Sequence, residues 1–145
     1  MKTFIDSVVW IGAKLKNDNW HKQSAKIIKK FINKEIQTAY VTDYIVLESV
    51  NFILRKGGFD AALETLKIFE NHERIKIINV DEITFAHASS IFKQYPGLSV
   101  TDASIVAAMN ELEIFKIYSF DKGFDMIPWI ERLEQDHVSS VFDLI

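Results

Sequence analysis

Residues 98–109 read Leu-Ser-Val-Thr-Asp-Ala-Ser-Ile-Val-Ala-Ala-Met. The pattern predicts a helix that begins near Thr101 and Asp102, because either side chain can cap the first-turn N–H groups. Residues 105–109 carry no polar side chain, and a helix this apolar around its circumference is usually buried on several sides. Asp102 is then expected at the mouth of the core, either as an ordinary N-cap or as a metal ligand or base.

Three further carboxylates occur at positions that a solvated surface explains poorly. Asp6 follows the apolar-rich residues 3–5, Asp121 follows residues 117–120, and Glu48 lies within an apolar helical pattern. The first two therefore end short predicted strands, at the sheet edge where open α/β folds bind ligands. Carboxylates that are brought together repel one another, and a divalent cation is the usual remedy.

Composition limits the classes of protein to be considered. The chain has 145 residues with 48% hydrophobic and 26% charged residues, which fits one globular domain over residues 1–145. The absence of cysteine excludes disulfides, zinc–thiolate sites and cysteine nucleophiles. Asp6 interrupts the signal-like start, and no stretch has the length of a membrane span, so a cytoplasmic protein is expected.

Strand-like and helix-like patterns alternate along the chain. Strands are predicted near residues 2–6, 37–41, 75–80 and 116–120, with helical patterns between them. The tail from residue 127 predicts a short edge strand near residues 130–133 and a final helical turn. This order favours an α/β fold with a mostly parallel sheet of four to five strands and helices on both faces.

Local signals give several of the helix ends and buried faces. Ser7 is a candidate cap for the first helix, Thr42 or Asp43 for the third, and Asp81 or Glu82 for the fifth. Apolar stripes are expected along the fourth and fifth helices. They comprise Phe59, Ala62, Leu63, Leu66 and Phe69 in the fourth and Phe85, Ala88, Phe92 and Tyr95 in the fifth.

Four short motifs together resemble the signature of PIN-domain nucleases. They are Phe-Ile-Asp-Ser at 4–7, Leu-Glu-Ser-Val at 47–50, Thr-Asp-Ala at 101–103 and Ser-Phe-Asp-Lys-Gly-Phe at 119–124. Their order, spacing and placement fit the family over essentially the whole chain. Within the family, the size and helix-rich layout are most similar to the VapC-type toxin ribonucleases of toxin–antitoxin pairs.

The resemblance implies a set of site residues. Asp6, Glu48, Asp102 and Asp121 would be catalytic and would hold one or two Mg²⁺ or Mn²⁺ ions, with Ser7 and Ser119 in support. The family often carries another acidic residue two positions after the last Asp, whereas this chain has Gly123 there, which leaves Asp125 as a further candidate ligand. Val8 stands where the family often has a small polar residue, a departure expected to loosen the orientation of Asp6.

Candidate RNA contacts come from local charge, because the net charge of the chain is −3. Residues 14–34 contain seven lysines and one acid, a local net charge of +6. Lys22, Lys26 and Lys29 share one helical stripe, which is either a solubilising face or a phosphate-binding one. Arg55 and Lys56 form a second candidate contact. Trp10, Trp20 and Trp129 could stack on bases, although core or partner packing is the favoured interpretation for each.

Three functions are compatible with these features. The leading hypothesis is a metal-dependent endoribonuclease that forms a homodimer and is restrained by a cognate antitoxin. The second is an RNA-processing PIN nuclease without an antitoxin, and the third is a non-catalytic PIN-like module for RNA binding or assembly. No Walker-type phosphate loop or dinucleotide fingerprint is present in the sequence, so nucleotide-binding classes are not favoured.

Overall fold

The computed structural model describes residues 1–134, which form five strands and six α-helices. The strands are β1 (Lys2–Ile5), β2 (Thr38–Thr42), β3 (Ile75–Ile78), β4 (Lys116–Tyr118) and β5 (Glu131–Leu133). The helices are α1 (Ser7–Lys14), α2 (His21–Ile32), α3 (Asp43–Gly57), α4 (Phe59–Asn71), α5 (Glu82–Gln94) and α6 (Val100–Leu112), with a 3₁₀ turn at Lys122–Met126. The predicted edge strand near 130–133 is confirmed as β5, and the predicted final helical turn lies outside the described residues.

All strand pairs in the sheet are parallel, in the order β3-β2-β1-β4-β5. The chain moves outward in one direction from β1 to β2 and β3, and then crosses back to place β4 on the other side of β1. Since parallel crossovers are right-handed, the reversal puts α1–α4 on one face and α5–α6 on the other. The predicted fold class is confirmed, and the strand order reverses between β1 and β4.

Helix α6 is buried along most of its length. Every residue from Ala103 to Met109 is buried, and Ala107, Ala108 and Met109 are fully inaccessible. Small side chains let the helix lie close to the sheet and to α5, while Ile105 and Met109 fill the core between them. The expectation of a helix buried on several sides is confirmed.

The cap predicted for α6 is wrong. The N-cap is Ser99, whose Oγ accepts a hydrogen bond from the Asp102 N–H at 3.0 Å. Asp102 is therefore the third residue of the helix, and its carboxylate is not needed for capping. Ser99, Thr101 and Asp102 are all of residue types that can cap a helix. The choice of Ser99 depends on the position of the loop in the tertiary structure.

Two predicted apolar stripes also differ from the buried faces. Phe59 is exposed at the start of α4, and Phe85 and Phe92 are exposed on α5. The buried residues of α5 are instead Thr84, Ala88 and Ile91. Thr84 can be buried because its hydroxyl donates to Glu111 Oε2 at 2.8 Å, a partner on α6 that the helical period does not reveal.

The described part of the chain, residues 1–134, contains no helix with the length and apolar character needed to cross a bilayer.

Candidate active site at the carboxyl ends of β1 and β4

Asp6 lies directly after β1 and is almost completely buried. One carboxylate oxygen, Oδ1, accepts a hydrogen bond from the Ser7 N–H at 2.8 Å, and the other, Oδ2, accepts one from Ser119 Oγ at 2.7 Å. Asp6 is thus the N-cap of α1, and the expectation that Ser7 caps this helix is wrong. The two hydrogen bonds hold the carboxylate in one orientation, although Val8 stands at the family's polar position.

Ser119 connects the ends of the two central strands. Its hydroxyl donates to Asp6 and accepts a hydrogen bond from the Asp121 N–H at 3.0 Å. Asp121 is exposed, and its Oδ1 caps the following 3₁₀ turn by accepting from the Gly123 N–H at 2.8 Å. A single side chain therefore links the Asp6 carboxylate to the backbone of Asp121.

Glu48 reaches the start of α1 from helix α3. It is an exposed residue of α3, and its Oε1 accepts a hydrogen bond from the hydroxyl of the buried Ser7. Ser7 therefore ties the start of α1 to α3. The two serines that the sequence places beside Asp6 and Asp121 are each hydrogen-bonded to a candidate site carboxylate.

Asp102 comes to these carboxylates from the first turn of α6. Burial raises the pKa of its carboxyl to about 8, helped by a hydrogen bond with the Asp121 carboxyl and by the charges of Asp6 and Asp121. Burial likewise raises the pKa of Asp6 to about 6 against the hydrogen bonds from Ser119 and Ser7, with repulsion from Glu48 and Asp121 adding to the increase. The charges of Glu48 and Asp121 thus act on Asp6, and those of Asp6 and Asp121 act on Asp102, which places the four candidate carboxylates in one cluster.

The donor chemistry of this cluster fits a hard divalent cation. Carboxylate oxygens are the ligands that Mg²⁺ and Mn²⁺ prefer, and a nearby cation favours the charged form of a carboxyl that burial and repulsion disfavour. Within residues 1–134, no three histidine or acidic side chains form a ready-made coordination cage. The carboxylates are therefore neighbours in the structure without being arranged as a closed cage.

Asp125, the further candidate ligand, is engaged elsewhere. Its two oxygens accept hydrogen bonds from Arg132 Nε at 2.9 Å and Nη2 at 3.1 Å. The mostly buried Arg132 also donates from Nη1 to the Ser119 carbonyl at 3.1 Å and to Glu134. Sequence analysis missed Arg132, although it is one of only two basic residues between 121 and 145.

The candidate RNA contacts lie on two helices. Lys22, Lys26 and Lys29 are exposed along α2, while Arg55 and Lys56 are exposed in the last turn of α3. The Arg55 guanidinium lies over the Phe52 ring at 5.5 Å from its centroid. Exposure is what both the solubilising and the phosphate-binding interpretations of these residues require.

The fold and the acidic cluster together define a class of α/β proteins that carry carboxylates at the point where the strand order reverses. The family model of the PIN domain matches residues 3–130. The chain therefore belongs to the PIN domain family.

Relatives and solved structures are similar to parts or all of this chain. Over 58 residues the chain is 34% identical to a VapC ribonuclease of Mycobacterium bovis and to ribonuclease VapC13 of Mycobacterium tuberculosis. That match covers 40% of this chain and 44% of each relative, so the chain spans less than half the length of these relatives.

The similarity of folds extends over nearly the whole chain. VapC20 of Mycobacterium tuberculosis, a sarcin–ricin loop cleaving toxin, superposes with a TM-score of 0.77 at 19% identity, over 89% of this chain and 97% of its own. VapBC2 of Rickettsia felis, bound to promoter DNA, gives 0.69 at 13% identity over 94% and 100%. FitAcB of Neisseria gonorrhoeae gives 0.63 at 15% identity over 92% and 96%. At these identities the likeness is one of fold.

The acidic cluster predicts an unusual pH dependence of stability for the metal-free protein. The folded chain binds protons on Asp6 and Asp102 more tightly than the unfolded chain, whose Asp pKa is near 3.8. The resulting loss of stability is absent below about pH 4, grows through about pH 6 and is complete above about pH 8. Asp102→Asn should therefore raise Tm in chelator by a few degrees near pH 8.5, since about 1 kcal/mol corresponds to roughly 3–4 °C in such a domain.

Thermal melts of the two proteins near pH 5 and pH 8.5 check this expectation, and the gain should be larger at the higher pH. Asp60→Asn is the matched control, because Asp60 is an exposed aspartate in the first turn of α4. A variant at Asp102 that is no more stable than wild type near pH 8.5 would contradict the repulsion argued above.

Proposed function

We propose that this chain is a metal-dependent endoribonuclease that hydrolyses phosphodiester bonds in RNA, and that it is the toxin of a toxin–antitoxin pair. The observation that carries the proposal is the cluster of Asp6, Glu48, Asp102 and Asp121 where the strand order reverses. Burial, with the charges of neighbouring carboxylates in the cluster, raises the pKa values of Asp6 and Asp102. Such a cluster costs stability, and the cost is understandable if the site binds cations.

The similar proteins support hydrolysis of RNA as the class of reaction. The partial matches are to VapC ribonucleases, and the similar folds include a toxin that cleaves the sarcin–ricin loop and a VapBC complex. On this basis we extend the proposal to the partners: an RNA substrate, a cognate antitoxin protein and a second copy of the chain in a homodimer, all in the cytoplasm.

In the proposed site, Asp6, Glu48, Asp102 and Asp121 would hold one or two Mg²⁺ or Mn²⁺ ions. When bound, such ions make a water nucleophilic near neutral pH and neutralise charge that develops on the phosphate. Ser119 would keep Asp6 and Asp121 at a fixed separation, and Ser7 would hold Glu48 against the start of α1. Asp125 would remain with Arg132 and support the turn that carries Asp121.

Metal binding is the first expectation to test, because it needs no knowledge of the substrate. Calorimetric titration with Mn²⁺ should give binding that Asp6→Asn weakens by more than about 100-fold, because changes to outer-shell partners alone cost about 10–100-fold. Asp125→Asn should keep the binding, because its carboxylate pairs with Arg132. Circular dichroism controls for folding.

Unchanged Mn²⁺ affinity in Asp6→Asn would contradict the proposed ligand set. Complete absence of binding to the folded wild-type protein at millimolar Mn²⁺ would favour the non-catalytic module among the alternatives.

Catalysis by the site predicts toxicity and RNA cleavage together. Expression of the wild-type chain should arrest growth and create new 5′ ends in cellular RNA. Asp102→Asn should abolish the arrest, because it removes a proposed ligand of the cation that would neutralise transition-state charge. Losing one such stabilising contribution costs about 10²–10³-fold in rate. Asp60→Asn should remain toxic. Normal growth with abundant folded wild-type protein, but specific cleavage in vitro, would favour the RNA-processing alternative over the toxin.

The lysine stripe of α2 predicts a salt-dependent contribution to RNA binding. Replacing Lys22, Lys26 and Lys29 by Gln should lower the slope of log affinity against log salt by about 2, since each phosphate contact on a single strand contributes roughly 0.7. The same three changes at the exposed Lys67, Lys76 and Lys93 keep the net charge equal and should leave the slope nearly unchanged. Equal slopes for both triple variants would assign the stripe to solubility alone.

A further inference from the structure

Two aromatic rings stack at the surface of the molecule. Trp20 and Phe120 lie with ring centroids 4.3 Å apart and an angle of 8° between their planes. Trp20 is still 41% exposed. The expectation of core or partner packing is met by core packing at Trp10, which is buried and whose indole N–H donates to the Ile5 carbonyl. Trp20 lies outside the core, and partner packing at Trp20 stays a prediction.

The stack adjoins the acidic site through the covalent chain. Phe120 stands between Ser119, which donates to Asp6, and Asp121. Consecutive Cα atoms are about 3.8 Å apart, so the ring that supports Trp20 belongs to the residue next to a proposed metal ligand. The aromatic stack and the proposed ligand Asp121 are therefore carried by the same short segment after β4.

Trp20 is held in place by backbone hydrogen bonds on both sides. Its N–H donates to Asp18 Oδ1 at 2.9 Å, and its carbonyl accepts from the Ser24 N–H at 2.8 Å. The Trp20 carbonyl also lies close against α1, because a Cβ placed on Gly12 would be 3.2 Å from that oxygen and 2.4 Å from Ser24 Oγ. Only glycine allows this approach, so the indole is positioned before any ligand arrives.

We propose that the exposed indole of Trp20, backed by Phe120, is a nucleobase-stacking subsite for a single-stranded segment of RNA beside the acidic cleft. This inference rests on the proposed function and adds how the substrate is held. Every base offers a π-face, so stacking on an aromatic platform is tolerant of sequence. Lys22 is exposed in the first turn of α2, two residues after Trp20, where it can meet a phosphate of the same segment.

Trp129 provides an internal comparison. It is exposed to a similar extent, 37%, but contacts Phe115 edge to face, at 5.6 Å and 81°. Phe115 precedes β4, so this pair belongs to the amino ends of the strands, at the opposite edge from Asp6 and Asp121. Both tryptophans therefore expose their indoles. Of the two, Trp20 has the coplanar partner, and that partner is next to Asp121 in the sequence.

The test separates base stacking from phosphate binding. Affinities are measured by fluorescence anisotropy, in the Asp102→Asn background with millimolar Mg²⁺, for end-labelled uridine and adenosine hexaribonucleotides and for an abasic hexamer with the same phosphates. The background protein should bind the base-bearing oligomers more tightly than the abasic one. Adding Trp20→Leu should weaken base-bearing RNA by roughly tenfold, the scale of one stacked base, and leave the abasic oligomer unchanged.

Two further variants complete the design. Trp20→Phe keeps an aromatic ring and should retain most of the preference for bases, while Trp129→Leu should change neither affinity. Thermal melts show whether each variant is folded. If Trp20→Leu weakens the binding of base-bearing and abasic oligomers equally, Trp20 has a structural role and not a stacking role.

Different results would overturn the stacking subsite, the proposed function or both. Equal binding of base-bearing and abasic RNA by the background protein, unchanged discrimination in Trp20→Leu, or equal weakening of both ligands would each overturn the stacking subsite. No RNA binding at all would overturn it together with the proposed function. Trp20-dependent discrimination by a protein whose wild-type form cleaves no RNA would support the subsite and overturn the ribonuclease proposal.

Discussion

Mutual repulsion among carboxylates is the constraint on which the centre of this structure depends. Parallel strands on opposite sides of the reversal bring their carboxyl ends together, and this chain places an aspartate at each of the two central ends. The hydroxyl of Ser119 donates to the Asp6 carboxylate while accepting from the Asp121 N–H. One side chain therefore links the segments that follow the two central strands. Folding must bring these acids together with Asp6 buried, and Ser7 and Ser119 provide the hydrogen bonds that make this possible.

Apolar packing in the surrounding core offsets the free energy lost by placing these carboxylates together. Helix α6 brings Asp102 into the cluster at its first turn and is buried from Ala103 to Met109. The same helix therefore supplies a destabilising charge and much of the apolar contact that offsets it. This pairing of a polar first turn with an apolar body explains how a helix that is buried along most of its length can also carry a proposed ligand.

Fold similarity at 13–19% identity is consistent with the same physical logic. A parallel sheet with a reversed strand order needs apolar strands, helices of the right length and turns that follow each strand, and many sequences satisfy those needs. Three local features of this chain are not required by that general architecture: the Trp20–Phe120 stack, the approach of α1 and α2 at Gly12, and the pairing of Arg132 with Asp125.

The sequence by itself determined the alternation of strands and helices, the burial of α6 and the four acidic positions, because these follow from periodicity and from residues at strand ends. Tertiary structure alone decided that Ser99 caps α6, that Asp6 caps α1, and that Thr84 is buried while Phe85 is exposed. It also decided that Asp125 pairs with Arg132 and that Trp20 meets Phe120, one hundred residues away. Local patterns report which conformations a segment favours, whereas the choice among competing caps, faces and partners depends on contacts between segments distant in the chain.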